Sequence, residues 1–89
     1  MSARMLKYKV SSDTSLQVAV QMREGVTIRA IGVQGHEIHV WGETPRSADP
    51  LTVTRTFRVV GTGDDVPLGD YIGTVFEGRY VWHVYEVPS

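Results

Sequence analysis

Cysteine is absent from this chain of 89 residues, which excludes disulfide staples and thiolate metal sites. The absence fits a reducing cytoplasm. Long apolar runs are missing too. No stretch approaches the roughly 20 residues that cross a membrane, and the first residues lack the apolar core of a secretory signal. A soluble, intracellular protein with no membrane partner is expected. Charge of either sign is scarce in excess: nine Lys and Arg against ten Asp and Glu leave −1 with the histidines neutral. A polymeric nucleic acid needs a basic surface to displace its counterions, so no such partner is expected. A local basic pocket for a small anion remains compatible with this balance.

Convincing helical periodicity is also lacking. The chain instead alternates apolar and polar residues between short turns, the pattern of half-buried strands. After a loose start over Met1–Arg4, the first strand begins near Met5, with Leu6, Tyr8 and Val10 on one face. A second carries Leu16, Val18, Val20 and Met22 beyond the polar turn of residues 11–15, and hairpin pairing with the first is the natural expectation. A third spans Val26–Val33, with apolar residues on both parities. The fourth, His36–Glu43, forms a hairpin with it over Gly35. Thr44–Pro50 reads as a loop and Thr52–Gly63 as a strand ending in a turn. Asp64–Gly69 reads as a second loop. Asp70–Phe76 and Arg79–Val87 form a terminal hairpin. The sum is one domain over residues 1–89, all-β, a small antiparallel β-sandwich or β-barrel of six to seven short strands.

The strand that organises the rest is Thr52–Gly63. Extended backbone sends alternate side chains to opposite faces, so Val53, Arg55, Phe57 and Val59 share one face and Thr54, Thr56, Arg58 and Val60 the other. Each face carries one guanidinium, a planar fork suited to phosphate. The strand ends at Gly61, Thr62 and Gly63, where bare backbone can approach a ligand and aim N–H groups at it. The plain alternative is a strand whose arginines pair with carboxylates or solvent.

The last three strands place apolar residues on both faces, Tyr71 and Val75 opposite Ile72 and Phe76, and Val81 and Tyr85 opposite Trp82 and Val84. A chain this short buries one such face easily and two with difficulty. The second face is expected to be a ligand cavity or an interface between copies, with Trp82 as an interface anchor. A homo-oligomer is therefore expected.

Catalytic patterns are wanting. His36 and His39, three apart in the expected fourth strand, fall on opposite faces, and no further ligand spacing supports zinc. His83, between Trp82 and Val84, is either a core or interface histidine or a donor to a phosphate or base edge. Most carboxylates sit in turns, and no serine has a nucleophile elbow. No enzyme activity, catalytic residue, metal or cofactor is expected. A binding protein needs only shape, stacking and fixed donors. The candidate ligand-binding residues are Arg55, Arg58, Gly61, Thr62, Gly63, Tyr71, Trp82 and His83.

Several blocks carry a resemblance when taken in order: Glu24-Gly25, Ile38 to Trp41, Arg55 through Gly63, Tyr71 through Val75, and Val81 through Glu86. Over Leu6–Glu86 the chain resembles a family of small uncharacterised-domain proteins of bacteriophages, and through it the sponge proteins that counter cyclic-nucleotide (CBASS) defence. The resemblance implies an oligomer in the cytoplasm of the infected bacterial host. It would bind and sequester a small-molecule cyclic nucleotide without cleaving it. A different class, a phage protein–protein interaction module that inhibits a host protein or joins the virion, is supported by the two-faced terminal hairpin. A hydrolase using His83 with an acid is a third.

Overall fold

The computed structural model describes residues 2–46 and 51–89. Seven strands account for most of them: β1 (Ala3–Lys9), β2 (Gln17–Arg23), β3 (Thr27–Gln34), β4 (Glu37–Pro45), β5 (Thr52–Gly61), β6 (Asp70–Glu77) and β7 (Tyr80–Val87). They form a three-stranded sheet of order β1-β4-β3 and a four-stranded sheet of order β2-β5-β7-β6. Every pairing is antiparallel. The architecture is a small sandwich. The first strand starts at Ala3, earlier than expected. Residues 47–50 of the expected Thr44–Pro50 loop, and Met1, lie outside the described residues.

The expected hairpin of β1 with β2 does not form. The 11–16 segment instead carries the chain from one sheet to the other, pinned by Val10 N–H to Ile38 O at 2.9 Å and by Val59 N–H to Leu16 O at 2.8 Å. The physical reason lies in the faces. β1 and β2 each have one apolar and one polar face, which suits sheet edges exposed on one side. Each flanks a strand more deeply buried than itself: β1 takes β4 and β2 takes β5.

Two bulges reset the apolar alternation. In β3 the register shifts between Ile28 and Ala30. Arg29 is the extra residue, and Ile28, Ile31 and Val33 all turn to the core despite their mixed parity. In β6 the shift lies between Tyr71 and Gly73. Ile72 and Val75 then pack inward, while Tyr71, Thr74 and Phe76 face outward. Tyr71 thus shares a face with Phe76, not with Val75 as strict alternation predicts. An extra residue in one strand of a pair has this consequence wherever it occurs.

The core between the sheets is built on Phe57, Met22, Val10, Val40 and Val84, each essentially without solvent contact. Val26, Ile38, Val59 and Val75 complete it. Truncating a buried phenylalanine such as Phe57 to alanine costs roughly 3–5 kcal/mol. On the β3–β6 side the sheets approach closely at Gly73, where an added Cβ would lie 2.6 Å from Ile31 Cγ2.

Candidate ligand-binding face

Strand β5 divides its arginines as alternation predicts. Arg55 points inward, where its Nε and Nη2 donate to the two oxygens of Glu86 at 2.7 and 2.6 Å and its Nη1 donates to Val26 O at 2.7 Å. The hydrogen bond to Glu86 raises the Arg55 pKa above its ordinary value, against the opposing effect of burial. Each of its three nitrogens has a protein acceptor, so the fork is already used. Arg58 faces outward, and among the described residues its guanidinium has a single contact, from Nη1 to Gln17 Oε1 at 3.4 Å. That distance is long for a hydrogen bond, and the guanidinium is open to a ligand.

The outward face of β5-β7-β6 collects the other groups through register. Tyr85 lies opposite Arg58 and His83 opposite Val60. On the far side Tyr71 lies opposite Tyr85, Thr74 opposite His83 and Phe76 opposite Val81. The Tyr71 and Tyr85 rings meet edge to face with centroids 5.5 Å apart. Hydroxyls flank the His83 ring on both sides: Thr62 Oγ1 is 2.9 Å from Nε2 and Thr74 Oγ1 is 2.9 Å from Nδ1. The Tyr71 hydroxyl bonds Thr74 in turn. In a neutral imidazole one nitrogen donates and the other accepts, and hydroxyls serve either role. The chain Tyr71–Thr74–His83–Thr62 is therefore a polar relay laid across an exposed sheet.

The Gly61–Thr62–Gly63 turn is held differently from the open cradle expected of it. The Gly61 N–H donates to Asp64 Oδ2 at 3.0 Å, and Asp64 N–H returns to Gly61 O at 3.1 Å. The turn thus carries its own carboxylate where an outside anion would otherwise bind. Gly63 adopts φ +99°, a conformation that glycine reaches without steric cost. Beside the turn lies a cleft of about 250 Å³ bordered by Thr62, Val66, His83 and Tyr85. Val60 at its base is buried, though it stands apart from the core. A second cleft of about 370 Å³ lies around Arg58, with Gln17, Asp65 and Leu68. The 64–69 segment, which lines both clefts through Val66, is fixed against β7 at Gly69. A Cβ there would come within 2.2 Å of Glu86 O.

Of the residues expected at the site, Arg58, Gly61, Thr62, Gly63, Tyr71 and His83 gather on or beside this outer face. Arg55 and Trp82 do not. Trp82 points inward, packs against the core and donates its indole N–H to Glu77 Oε1 at 3.3 Å. It is a wall of the sandwich, only partly buried, and also borders a cleft with Gly61 and Thr62. Thr74, Tyr85 and Phe76 belong to the face and were missed. Their signal lies in cross-strand register, which only the pairing of β6 with β7 defines. His36 lies in the turn before β4 and is exposed, whereas His39 is buried within that strand. Among the described residues, no group of three or more His, Asp or Glu could hold a metal ion, and no helix is long and apolar enough to cross a membrane.

The fold and this face together define a small two-sheet β-protein with an aromatic, hydroxyl-lined outer surface. The chain belongs to the family of the domain of unknown function DUF7352, which it matches over residues 1–89. No curated protein and no solved structure matches it.

Proposed function

We propose that this protein is a non-catalytic binding module that captures a small anionic ring compound on the outer face of the four-stranded sheet. In the narrower form of this reading the ligand is a cyclic nucleotide signal of bacterial defence. The protein acts as a phage sponge for it, in the cytoplasm of the infected bacterium. The carrying observation is the relay Tyr71–Thr74–His83–Thr62, with its aromatic neighbours and the open Arg58 on the same face. The rings offer stacking, worth about 1–3 kcal/mol per base. The relay offers donors and acceptors to a base edge, and Arg58 offers a fork to a phosphate. Two copies meeting through this face would present each group twice, matching a ligand of near two-fold symmetry.

Thermal unfolding with a panel of cyclic di- and trinucleotides tests the reading. A ligand that binds only the folded chain raises the midpoint; one class is expected to raise it by several degrees, and Arg58→Ala to abolish the rise. Recovery of that ligand intact after denaturation separates capture from hydrolysis. A flat response across the panel sinks the nucleotide reading. A second reading, a protein-interaction module, draws on Phe76 and Tyr71, which are 71% and 57% exposed on this face. Its expected result is that Phe76→Asp abolishes partner capture while Arg58→Ala leaves it intact.

A further inference from the structure

At one end of the sandwich the 11–16 crossover, the β3–β4 turn and the β6–β7 hairpin border a half-open cavity of about 210 Å³. It is separate from the outer face. Its floor is apolar: Leu16, Ile38, Val59 and Trp82. The indole is fixed, because its N–H is bonded to Glu77 Oε1 while Glu77 Oε2 holds His36 Nδ1 at 3.1 Å. Tyr80 stacks on Trp82 at 5.9 Å and 17°, and Arg79 lies 5.6 Å over the Tyr80 ring. Stacking on Tyr80 thus adds to the hydrogen bond in holding the Trp82 ring.

The rim of the cavity is polar and leans acidic. Ser15 is spent within its own turn, accepting from Gln17 N–H and donating to Gln17 O. Ser12 is likewise engaged with Thr14. Ser11 accepts the Ile38 N–H at 2.9 Å, which leaves its own proton to give. The Asp13 carboxylate has no hydrogen bond or ion pair among the described residues. Lys9, which feels its charge, is bonded instead to Glu37 at 3.0 Å. Asp13, an uncommitted pair of acceptors, and Ser11, an uncommitted donor, thus line the same cavity as the fixed Trp82 indole.

We infer that this cavity is a binding site for a flat ring bearing two adjacent N–H donors, of the amidine or 2-amino-purinone type. Two parallel N–H groups match the two oxygens of a carboxylate, as the guanidinium fork does. The ring face suits Trp82 and the apolar floor. The size agrees: drug-sized ligands need about 300–1,000 Å³, so the smaller cavity restricts the occupant to one or two fused rings. Phosphate is disfavoured here, because the rim carries Asp13 and Glu77 and its histidine is already paired. The inference does not depend on the outer-face reading.

Benzamidine and guanosine are the probes, titrated calorimetrically into the intact chain. The fluorescence of Trp82 is followed in parallel in a Trp41→Phe background. Expected results are saturable heat with at least one probe, a matching change in Trp82 emission, and at least tenfold weaker binding in Asp13→Asn. Arg4→Ala, outside both candidate sites, should bind as the parent does. Asp13 lies in an exposed turn, so its variant should keep the parent's unfolding midpoint, and lost binding then reports the site. Absence of saturable binding by both probes overturns the inference, as does unchanged affinity in Asp13→Asn. Saturation by benzamidine alone assigns the site to cationic amidines; saturation by guanosine as well extends it to neutral purinones.

Discussion

Arg55 and Arg58 stand three positions apart with opposite circumstances. Arg55 is enclosed by Glu86 and the Val26 carbonyl, with both charged side chains 22% exposed. Removing one member leaves the other's charge half-buried and unpaired. Arg55→Ala is expected to lower stability by about 2–3 kcal/mol, read as a drop in urea midpoint at constant slope. Arg58→Ala is expected to leave the midpoint unchanged and to lose anion binding. That contrast was legible in the sequence, because alternation alone assigns the two faces. Which face would be enclosed was not legible, since it depends on Glu86 arriving from β7. The Gly61 turn is a related case. Its shape follows from the glycines, but Asp64 reads in sequence as a solvated acid until its oxygen is seen on the Gly61 amide. A second contrast concerns Glu37 and Lys9, paired at 3.0 Å on the exposed face of the smaller sheet. The hydrogen bond from Lys9, and then its charge, lower the Glu37 pKa from its ordinary value of 4.5. The stabilisation is therefore present above that value and fades as pH falls through the lowered one. Denaturation midpoints of the parent and Lys9→Gln are expected to differ slightly at neutral pH and to converge in acid.

Strands were easier to read than their partners. Alternation located β2, β4 and β5 well, because each keeps one parity along its length. It failed at β3 and β6, where a single extra residue turns the following side chains over. Neither Arg29 nor Ile72 bears a compositional mark of a bulge. The same inversion hid part of the candidate site, since Thr74 and Phe76 reach the outer face only after the β6 bulge. Strand order was equally hidden: β1 and β2 look like a hairpin locally, and only the need to place one-faced strands at edges separates them. The 64–69 segment supplies a test. Gly69 has φ +153° and no room for a Cβ against the Glu86 carbonyl. Gly69→Ala is expected to cost about 2–3 kcal/mol through strain and displaced backbone, measured by chemical denaturation. It should also disturb the clefts beside Thr62 and Arg58, seen as lost ligand response even under conditions where the chain remains folded.

The whole sandwich measures 43 × 25 × 21 Å. Its inner faces account for the core, and the bulges reduce the apolar excess that strict alternation suggests for β6. An exposed remainder persists on the outer face, chiefly Phe76 and Tyr71. If copies associate through it, the contact is open to a direct test. Phe76→Asp is expected to shift the sedimentation profile to the single-chain species, with the unfolding midpoint little changed because Phe76 contributes little to the core. A profile identical to the parent's would remove this face from any account of assembly.

In the four-stranded sheet β7 lies between β5 and β6, although it follows both in the chain. During synthesis, then, β6 has no neighbour in its own sheet until residues 80–87 clear the ribosome. β2 and β5 can already pair, but β6 must wait, unpaired, for β7 to join it to them. A chain ended after Glu77 is expected to be unfolded and rapidly degraded, with random-coil circular dichroism where the full chain shows sheet. Maturation should thus behave as a single late event, so interrupted translation would yield no partly active product.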